Sequence, residues 1–476
     1  MNLNQTLQEK YPHLEVSVLK LSEVKKNIDF RIDDSFWTMK LIYNNKLNYK
    51  KIGECLLKSQ YGISINMNEG GDGIPIYRMN DIDNMLCNFE VKKYALIDKN
   101  ELQTFRLNYG DVLFNRTNSY EFVGRTGIFY NNRENFVFAS YLVRLVCNKE
   151  ILLPEYLTVF LNTHIGKKEI RRRARPSINQ TNVNPEELKE IKIPIFPMKF
   201  QLEIQNLVKD SHKALEESKE LYKKAEETLY LELGLDPKNP LQSLLDSKTN
   251  NPTKSLNISI HTLKESFLKT GRLDSEYYQS KYEDIEKFIK SYPNGYDSFS
   301  NIINNKDTNF TPKNNENYSY IELANIGNNG NISEPISDLG KNLPTRARRI
   351  VSKGDVIISS IEGSLSSCAL ITQEFDKHLV STGFFVLNSK LLNGETLLVM
   401  FKSQIFQEYL KKFPSGTILC AINKEELSKI LIPKIDSTTQ EKIAKYIQES
   451  FNLRKKSKQL LDNAKNKVEE QIQGKT

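Results

Sequence analysis

Six cationic side chains fall close together in the stretch KKEIRRRARPSINQTN, and a polar segment with amide side chains follows them. Arginine and lysine hold nucleic-acid phosphates, arginine can also pair with guanine, and asparagine or glutamine can read adenine. The stretch therefore predicts a nucleic-acid contact through Lys167, Lys168, Arg171, Arg172, Arg173, Arg175, Asn179 and Gln180. The alternative is a solvated helix end, where the helix dipole favours cations.

Two further stretches offer similar chemistry. LPTRARRIVSKGDV places three arginines, Arg346, Arg348 and Arg349, just before a Gly-Asp-Val sequence. The loops after each Gly-Asp-Val, NRTNSYEFVGRTG and SSIEGSLSS, are polar and contain glycine, so they could approach a groove closely. From these loops we predict contacts by Arg116, Asn118, Ser119, Arg125, Ser359 and Ser360. An ordinary hairpin is the alternative, and Gly-Asp-Val itself is typical of a turn entering a buried strand.

No catalytic or metal-binding signature accompanies these stretches. The chain has no G-x-G-x-x-G after a strand and no H-E-x-x-H, and its GKT lacks the rest of a phosphate loop. The five cysteines have no C-x-x-C spacing, which argues against a zinc ribbon or disulfide framework and fits a reducing compartment. We therefore predict no catalytic residue, no metal ligand and no cofactor in this chain, and a role in recognition or scaffolding.

The composition is typical of a globular protein. The 476 residues carry a formal net charge of +8, which suits a nucleic-acid partner, although a solvated lysine-rich surface would give the same balance. No stretch approaches the ~20 apolar residues that span a bilayer, and the N-terminus has no apolar signal core. We expect two or three domains, no membrane association and a cytoplasmic location.

One segment occurs twice, as NPEELKEIKIP from Asn184 and as NKEELSKILIP from Asn423. Upstream matches keep their order in both halves: FRIDDSFW with GRLDSEYY, YRMNDI with YIELANI, and GDVLFNRTNS with GDVIISSIEG. The period far exceeds the ~20–50 residues of a solenoid unit, so we interpret the chain as a tandem duplication of one module. Each module has short β-type runs, then a short helix over PEYLTVFLNTHIGKKEI or GETLLVMFKSQIFQEYLKK, and then a long helix.

Each long helix carries a heptad seam. The seam residues are Ile204, Val208, Ser211, Leu215, Ser218, Tyr222, Ala225 and Leu229, and Ile443, Ile447, Ser450, Ser457, Leu461, Ala464 and Val468. Serine and alanine recur at equivalent positions and would let two backbones approach closely. Arg454 weakens one position of the second seam. We predict that the two helices pair antiparallel as a spacer; the alternative is that each packs on its own module.

The ordered set of R-[IL]-D, G-D-V-[LI], NPEELKEIKIPIFP and ESKELYKKAEETLYLELGL resembles the DNA-specificity subunit of type I restriction–modification systems. The resemblance covers both halves, and its specificity lies in the order and the duplication of the motifs. It implies an α+β fold with two β-rich target-recognition domains, each followed by a long helix, the helices pairing as an antiparallel coiled coil. The expected boundaries are 1–197 and 258–436 for the recognition domains, 198–235 and 437–473 for the helices, and 236–257 for a linker.

The resemblance also implies partners: double-stranded DNA, two methyltransferase (modification) subunits and motor-nuclease (restriction) subunits. This chain would be a non-catalytic subunit, because adenine-N6 methylation with S-adenosylmethionine, and cleavage with ATP and magnesium, would belong to those partners. The second module lacks the VGRTG pattern and has LCAIN where the first has TNVN, so we expect a bipartite, asymmetric site. A two-domain scaffold that binds proteins and no DNA remains the alternative.

Overall fold

The computed structural model describes residues 3–14, 16, 18–39, 41–131, 135–178, 180–246, 260–416 and 419–474. The chain divides into a first unit, Met1–Leu215 with Lys455–Thr476, and a second unit, Glu216–Arg454. Both units combine several small sheets with separate helices, which confirms the predicted α+β class. Across the described ranges, no helix has both the length and the apolar character that a membrane crossing requires.

The core of the first unit is a six-stranded, mostly antiparallel sheet. Its strands, in order, are Leu56–Tyr61, Leu142–Cys147, Val112–Asn115, Thr126–Ile128, Leu86–Cys87 and Ile82–Asp83. The strand Val112–Asn115 is buried at every position, which explains its unbroken apolar run after Gly-Asp. The smaller sheets join Val137–Phe138, Ile74–Tyr77 and Tyr94–Ala95; Arg175–Pro176, Thr181–Asn182 and Thr117–Asn118; and Tyr49–Lys51 with Lys192–Pro194.

The described residues of the first unit also form seven short α-helices: Leu3–Lys10, Leu21–Val24, Asp34–Thr38, Lys99–Phe105, Pro154–Asn162, His164–Arg173 and Pro185–Lys189. The single helix predicted over PEYLTVFLNTHIGKKEI is wrong, because the backbone is extended at Thr163. The Thr163 side chain accepts a hydrogen bond from the Gly166 N–H at 3.0 Å and caps the second helix. Ser403 breaks the corresponding stretch of the second unit in the same way.

The second unit repeats this plan with a different strand arrangement. One four-stranded sheet has the order Ile303–Asn305, Phe384–Ser389, Val356–Ser359 and Cys368–Leu370, and the other has the order Ile336–Leu339, Asn317–Ile321, Leu379–Ser381 and Ala347–Ile350. Tyr296–Ser298 pairs with Leu431–Pro433. The short helices are Pro240–Asp246, Phe267–Thr270, Ser280–Lys290, Phe299–Ile302, Gly394–Lys402, Gln404–Leu410 and Lys424–Lys429.

The repeated segment has the same local structure in both units. The Asn184 side chain accepts a hydrogen bond from the Glu186 N–H at 3.0 Å, and the Asn423 side chain accepts one from the Glu426 N–H at 2.9 Å. Each asparagine thereby caps a short helix that leads into the strand ending in Ile-Pro. The repetition in sequence is therefore a repetition of one folded joint.

A buried glutamine fixes the start of each long helix. Gln201 accepts a hydrogen bond from one backbone N–H and donates to two backbone carbonyls, at 2.9 to 3.1 Å. Gln440 makes the same three kinds of bond, at 2.9 to 3.0 Å. Because every partner is main chain, both helices start from the same position relative to the body of their unit.

The first long helix is Met198–Glu232 and the second is Ser437–Gln473, and each contributes residues to both units. Within the first unit, the Ser211 and Ser457 hydroxyls lie 2.8 Å apart. Lys467 pairs with Glu203 at 2.6 Å, closer to the start of the first long helix. Residue numbers thus rise along one helix as they fall along the other, so the helices pack antiparallel here.

The same direction holds within the second unit. The Ser218 and Ser450 hydroxyls lie 3.0 Å apart, and Thr439 donates to Glu232 at 2.7 Å. Serine and alanine permit this close approach because a larger side chain would separate the helices. Every predicted seam residue is buried except Leu215, which is half-buried. The predicted packing of the long helices is confirmed, and they also pack on the cores of the units.

Candidate nucleic-acid interface

Two of the predicted stretches meet on one surface of the first unit. The basic helix His164–Arg173 leads into Arg175–Pro176, which pairs with Thr181–Asn182. Thr181–Asn182 pairs in turn with Thr117–Asn118, in the loop that follows Gly-Asp-Val. The small sheet therefore joins the basic stretch to this loop, although the sequence separates them.

Gly124 allows the loop to lie against the basic helix. Its φ of +84° is in the left-handed region, and a Cβ at this position would come 2.5 Å from Ile170 Cγ2 of that helix. Side chains larger than hydrogen would therefore be both strained and overlapping. The VGRTG pattern thus reflects a close approach of backbone to helix.

Arg125 and Arg171 on this surface each lie against an aromatic ring. The Arg125 guanidinium is 4.0 Å from the centre of the Phe122 ring, and that of Arg171 is 5.8 Å from the Tyr120 ring. Both rings are partly exposed. Stacking on a ring orients a guanidinium and leaves its N–H edge available to acceptors such as phosphate or a base.

The remaining predicted residues of the loop shape it. Arg116 lies 5.1 Å from the Tyr61 ring and donates to the Ser140 carbonyl at 3.1 Å. The Asn118 side chain accepts from the Ser119 N–H at 2.8 Å, and the Ser119 carbonyl accepts two backbone N–H groups further along the loop. Ser119 is exposed, whereas Arg116 and Asn118 are half-buried.

Four cations gather where the loop, the basic helix and the second long helix meet; we call Arg125, Lys167, Arg171 and Lys465 the cation cluster. The pKa of Lys167 is lowered, first by partial desolvation and then by the positive charges of Lys465, Arg171 and Arg125. Glu469 opposes this effect, but its carboxylate already accepts the N–H at the start of the basic helix at 2.6 Å. Such a cluster attracts anions, because a bound phosphate would relieve the repulsion.

Two arginines of the basic stretch are used within the fold. Arg172 donates to the Phe36 carbonyl at 2.6 Å and lies 4.3 Å from that ring. Arg173 is buried and pairs with the buried Glu169. The structure thus places these two predicted contact residues in packing positions, whereas Arg171 of the same run is exposed.

The other predicted residues of this stretch lie near the surface. Lys168 is half-buried, Arg175 is exposed and pairs with Asp29, and Gln180 is exposed. Gln180 closes a turn with Ser177, whose N–H donates to the Gln180 carbonyl at 2.7 Å. Asn179 lies outside the described residues.

In the second unit, the predicted arginine stretch and the Gly-Asp-Val loop also converge. The Thr382 N–H donates to the Arg346 carbonyl at 2.9 Å. The next residue, Gly383, accepts from both the N–H and the hydroxyl of Ser360, each at 2.9 Å. Arg346 is exposed and Ser360 is half-buried, so both border the turn at residues 382–383.

The neighbouring predicted residues differ in exposure. Arg348 is exposed and donates to a backbone carbonyl at 2.7 Å. Arg349 is half-buried and donates to the Phe384 carbonyl, and burial lowers its pKa. Ser359 is buried, with its hydroxyl 2.7 Å from that of Ser364, so it stabilises the turn.

The loops of the two units are equivalent in position and different in chemistry. Val183 N–H donates to the Arg116 carbonyl at 2.9 Å, and Ile422 N–H donates to the Ser360 carbonyl at 2.8 Å. TNVN and LCAIN therefore occupy the same place beside the Gly-Asp-Val loop. The first loop carries arginines and aromatic rings there, whereas the second carries serines and Glu362.

Sequence reasoning missed four residues of this surface. Tyr120 and Phe122 lie inside the quoted loop, and their alternation with arginines was the available signal. Tyr61 comes from a distant strand and Lys465 from the second long helix. For these two, the sequence offered no signal, because only the packing of remote segments brings them here.

The fold and this surface define a duplicated α+β protein with a cationic, aromatic loop region in its first unit. Residues 66–226 match the family described as the type I restriction modification DNA specificity domain. The chain is 22% identical over 412 residues to the putative type I restriction enzyme MjaX specificity subunit of Methanocaldococcus jannaschii, covering 86% of this chain and 88% of that relative. It is 28% identical over 161 residues to the type I restriction enzyme EcoKI specificity subunit of Escherichia coli, covering 33% and 34%.

A crystal structure of the S subunit of a type I restriction–modification system from M. genitalium aligns with 90% of this chain and 96% of that chain, at 14% identity and a TM-score of 0.42. Residues 66–226 are similar to the type I restriction modification DNA specificity domain. Over most of its length, the chain is similar to a type I restriction enzyme specificity subunit.

Proposed function

We propose that this chain is the DNA-reading subunit of a type I restriction–modification complex, and that each unit reads one half of a split site. The observation that carries the proposal is the surface of the first unit on which two arginines of the cation cluster, Arg125 and Arg171, lie against aromatic rings of the Gly-Asp-Val loop. Phosphate-binding cations and base-stacking or base-pairing groups are the two components that a sequence-specific DNA contact needs.

Within the cation cluster, Lys167 and Lys465 suit phosphates, because an ammonium is a point charge without directional preference. Arg125 and Arg171 suit base edges or the backbone, because their ring contacts orient the guanidinium plane. Among its described residues, the second unit has neither a cation cluster nor an arginine against an aromatic ring around Ser360, and it would read its half-site with neutral groups and with Arg346 and Arg348. Two different readers imply an asymmetric site.

The chemistry would belong to partner subunits. We propose that two adenine-N6 methyltransferase subunits and the restriction subunits dock on this chain, and that they bind S-adenosylmethionine, ATP and magnesium. A methyltransferase acts on an adenine turned out of the duplex. On this proposal, the chain chooses the sequence and the bound partner receives the flipped base.

The test is a genome-wide adenine-methylation map by long-read sequencing. The chain is co-expressed with the methyltransferase encoded beside it, and each is omitted in turn. We expect methylation at one split, asymmetric motif that requires both proteins. In the double variant Arg125→Gln with Arg171→Gln, recognition of the half-site that the first unit reads should be altered or lost. The half-site that the second unit reads should stay the same. If the two proteins co-purify and no motif is methylated, the scaffold alternative is the better account.

A further inference from the structure

The duplicated motif R-[IL]-D forms the same rigid frame in both units. Arg31 binds the two Asp33 carboxylate oxygens at 2.8 and 2.6 Å, and Arg272 binds those of Asp274 at 2.8 and 2.6 Å. These arginines lower the pKa of each aspartate. Each arginine also donates to a backbone carbonyl elsewhere in its unit, at 2.9 Å for Arg31 and 3.2 Å for Arg272. The motif is therefore fixed to the body of the unit.

Aromatic residues complete the frame. The Phe36 ring lies 4.7 Å from Arg31, and the Tyr277 ring lies 4.5 Å from Arg272. A second cation lies against each ring, at 4.3 Å in the first unit and 4.9 Å in the second. The residue after each of these aromatic residues donates to the backbone carbonyl of the motif arginine: Trp37 at 2.7 Å and Tyr278 at 3.0 Å. The charged and aromatic side chains of both motif copies thus all make contacts within their own unit.

The middle residue of the motif points into solvent in both units. Ile32 is 80% exposed and Leu273 is 68% exposed. A single exposed aliphatic residue needs no explanation. Here, however, the exposure recurs at the same position of two copies, between two residues that are locked by ion pairs. The frame therefore exposes one aliphatic side chain, on a backbone that is already ordered.

A second matched pair precedes each motif. Leu21 is 66% exposed and Leu263 is 62% exposed. Each leucine lies in a short turn that a glutamate closes. The Lys20 N–H donates to the Glu23 carboxylate at 3.2 Å, and the Thr262 N–H donates to the Glu265 carboxylate at 3.0 Å. The equivalent turns and equivalent exposure indicate that this exposed leucine was duplicated together with the motif.

We propose that Leu21 and Ile32 in the first unit, and Leu263 and Leu273 in the second, each dock one copy of the same partner protein through an aliphatic-lined groove on that partner. The partner is the methyltransferase subunit, so this inference rests on the proposed function and adds the docking surface. Two surfaces that bind identical partners should match, whereas two surfaces that read different half-sites should differ. The motif surfaces match in chemistry, and the Gly-Asp-Val loops do not.

Charge also favours a protein over DNA as the occupant. The motif arginines are engaged by aspartate and by backbone carbonyls, and Arg31 additionally pairs with Glu187 at 3.2 Å. The side chain between the arginine and the aspartate of each motif is aliphatic and exposed, and it suits a groove rather than a phosphate. Because the frame is ordered before binding, little conformational entropy is lost when a partner seats on it.

Native mass spectrometry of the full chain co-purified with the methyltransferase encoded beside it tests the proposal. The wild-type chain should hold two copies, Ile32→Glu and Leu273→Glu one copy each, and the double variant none. Affinity at each altered surface should fall at least about thirtyfold, the effect of removing a central interface residue. Leu96→Glu is the matched control, because Leu96 is 72% exposed in the first unit and lies outside the motif segment.

DNA binding by the full chain separates this inference from the proposed function. The double variant should bind duplex DNA as the wild type does, with the same melting temperature; Ile32→Ser and Leu273→Ser replace the charged variants if those unfold. Two copies retained by the double variant, or equal loss with Leu96→Glu, would overturn the docking surface. Weakened DNA binding in the double variant would overturn it as well, in favour of a DNA contact. If wild type and double variant alike fail to bind DNA while copy number follows the expected pattern, the docking surface stands and the DNA-reading function fails.

Discussion

The cation cluster makes a quantitative prediction about salt dependence. The triple variant Lys167→Gln, Arg171→Gln and Lys465→Gln removes three cations that the fold brings to one place. Each phosphate contact contributes about 0.9 to the slope of log affinity against log salt on B-DNA, so the triple variant should lower the slope by about 2.7. Over a fourfold rise in salt, the wild type should then lose about fortyfold more affinity than the variant.

Fluorescence anisotropy with a labelled non-specific duplex measures this slope, because phosphate contacts do not depend on the bases. The matched control is Lys223→Gln, Lys287→Gln and Lys313→Gln, which removes the same charge from exposed lysines of the second unit. The control should keep the wild-type slope. An unchanged slope in the cluster variant, or an equal drop in the control, would refute the assignment of these cations to phosphates.

Three further predictions concern stability. Gln201→Ala should lower the free energy of unfolding by about 2–4 kcal/mol in chemical denaturation, because it leaves buried backbone groups without partners; a change below 1 kcal/mol, on the order of one ordinary hydrogen bond, would contradict this. Ser211→Leu should cost about 1–3 kcal/mol, because the larger side chain must separate the backbones at Ser457, and an unchanged melting temperature would argue against close packing there. Burial raises the pKa of Glu226 to about 7, with Lys402 opposing the shift. The wild type is therefore most stable while Glu226 is protonated, and it loses stability as pH rises through that value. The melting temperature of Glu226→Gln should equal that of the wild type near about pH 4 and exceed it by a growing margin toward about pH 8; a constant difference would exclude this titration.

The sequence predicted the elements whose signals are local. The heptad spacing identified both long helices and nearly all of their buried seam, because burial on a helix follows its period. The stretch PEYLTVFLNTHIGKKEI was predicted as one helix because its apolar residues continue through Thr163. The break there depends on a side-chain cap and on Gly166, where a Cβ would lie 2.0 Å from the Phe160 carbonyl oxygen. All of these residues lie within seven positions of the chain, so the break is local, but the apolar pattern on both sides of Thr163 outweighed its capping signal.

By itself, the sequence determined that one module occurs twice, that each copy ends in a long helix, and that cations concentrate beside the Gly-Asp-Val loops. Only the tertiary structure decided which cations face solvent. In the run from Arg171 to Arg173, the first is exposed against Tyr120 and the last is buried with Glu169. Spacing cannot separate them, because the carboxylates and rings that engage each arginine are fixed by the packing of other segments. The same packing brings Lys465 from the second long helix to Lys167, and thereby assembles the cation cluster, which the sequence could only outline.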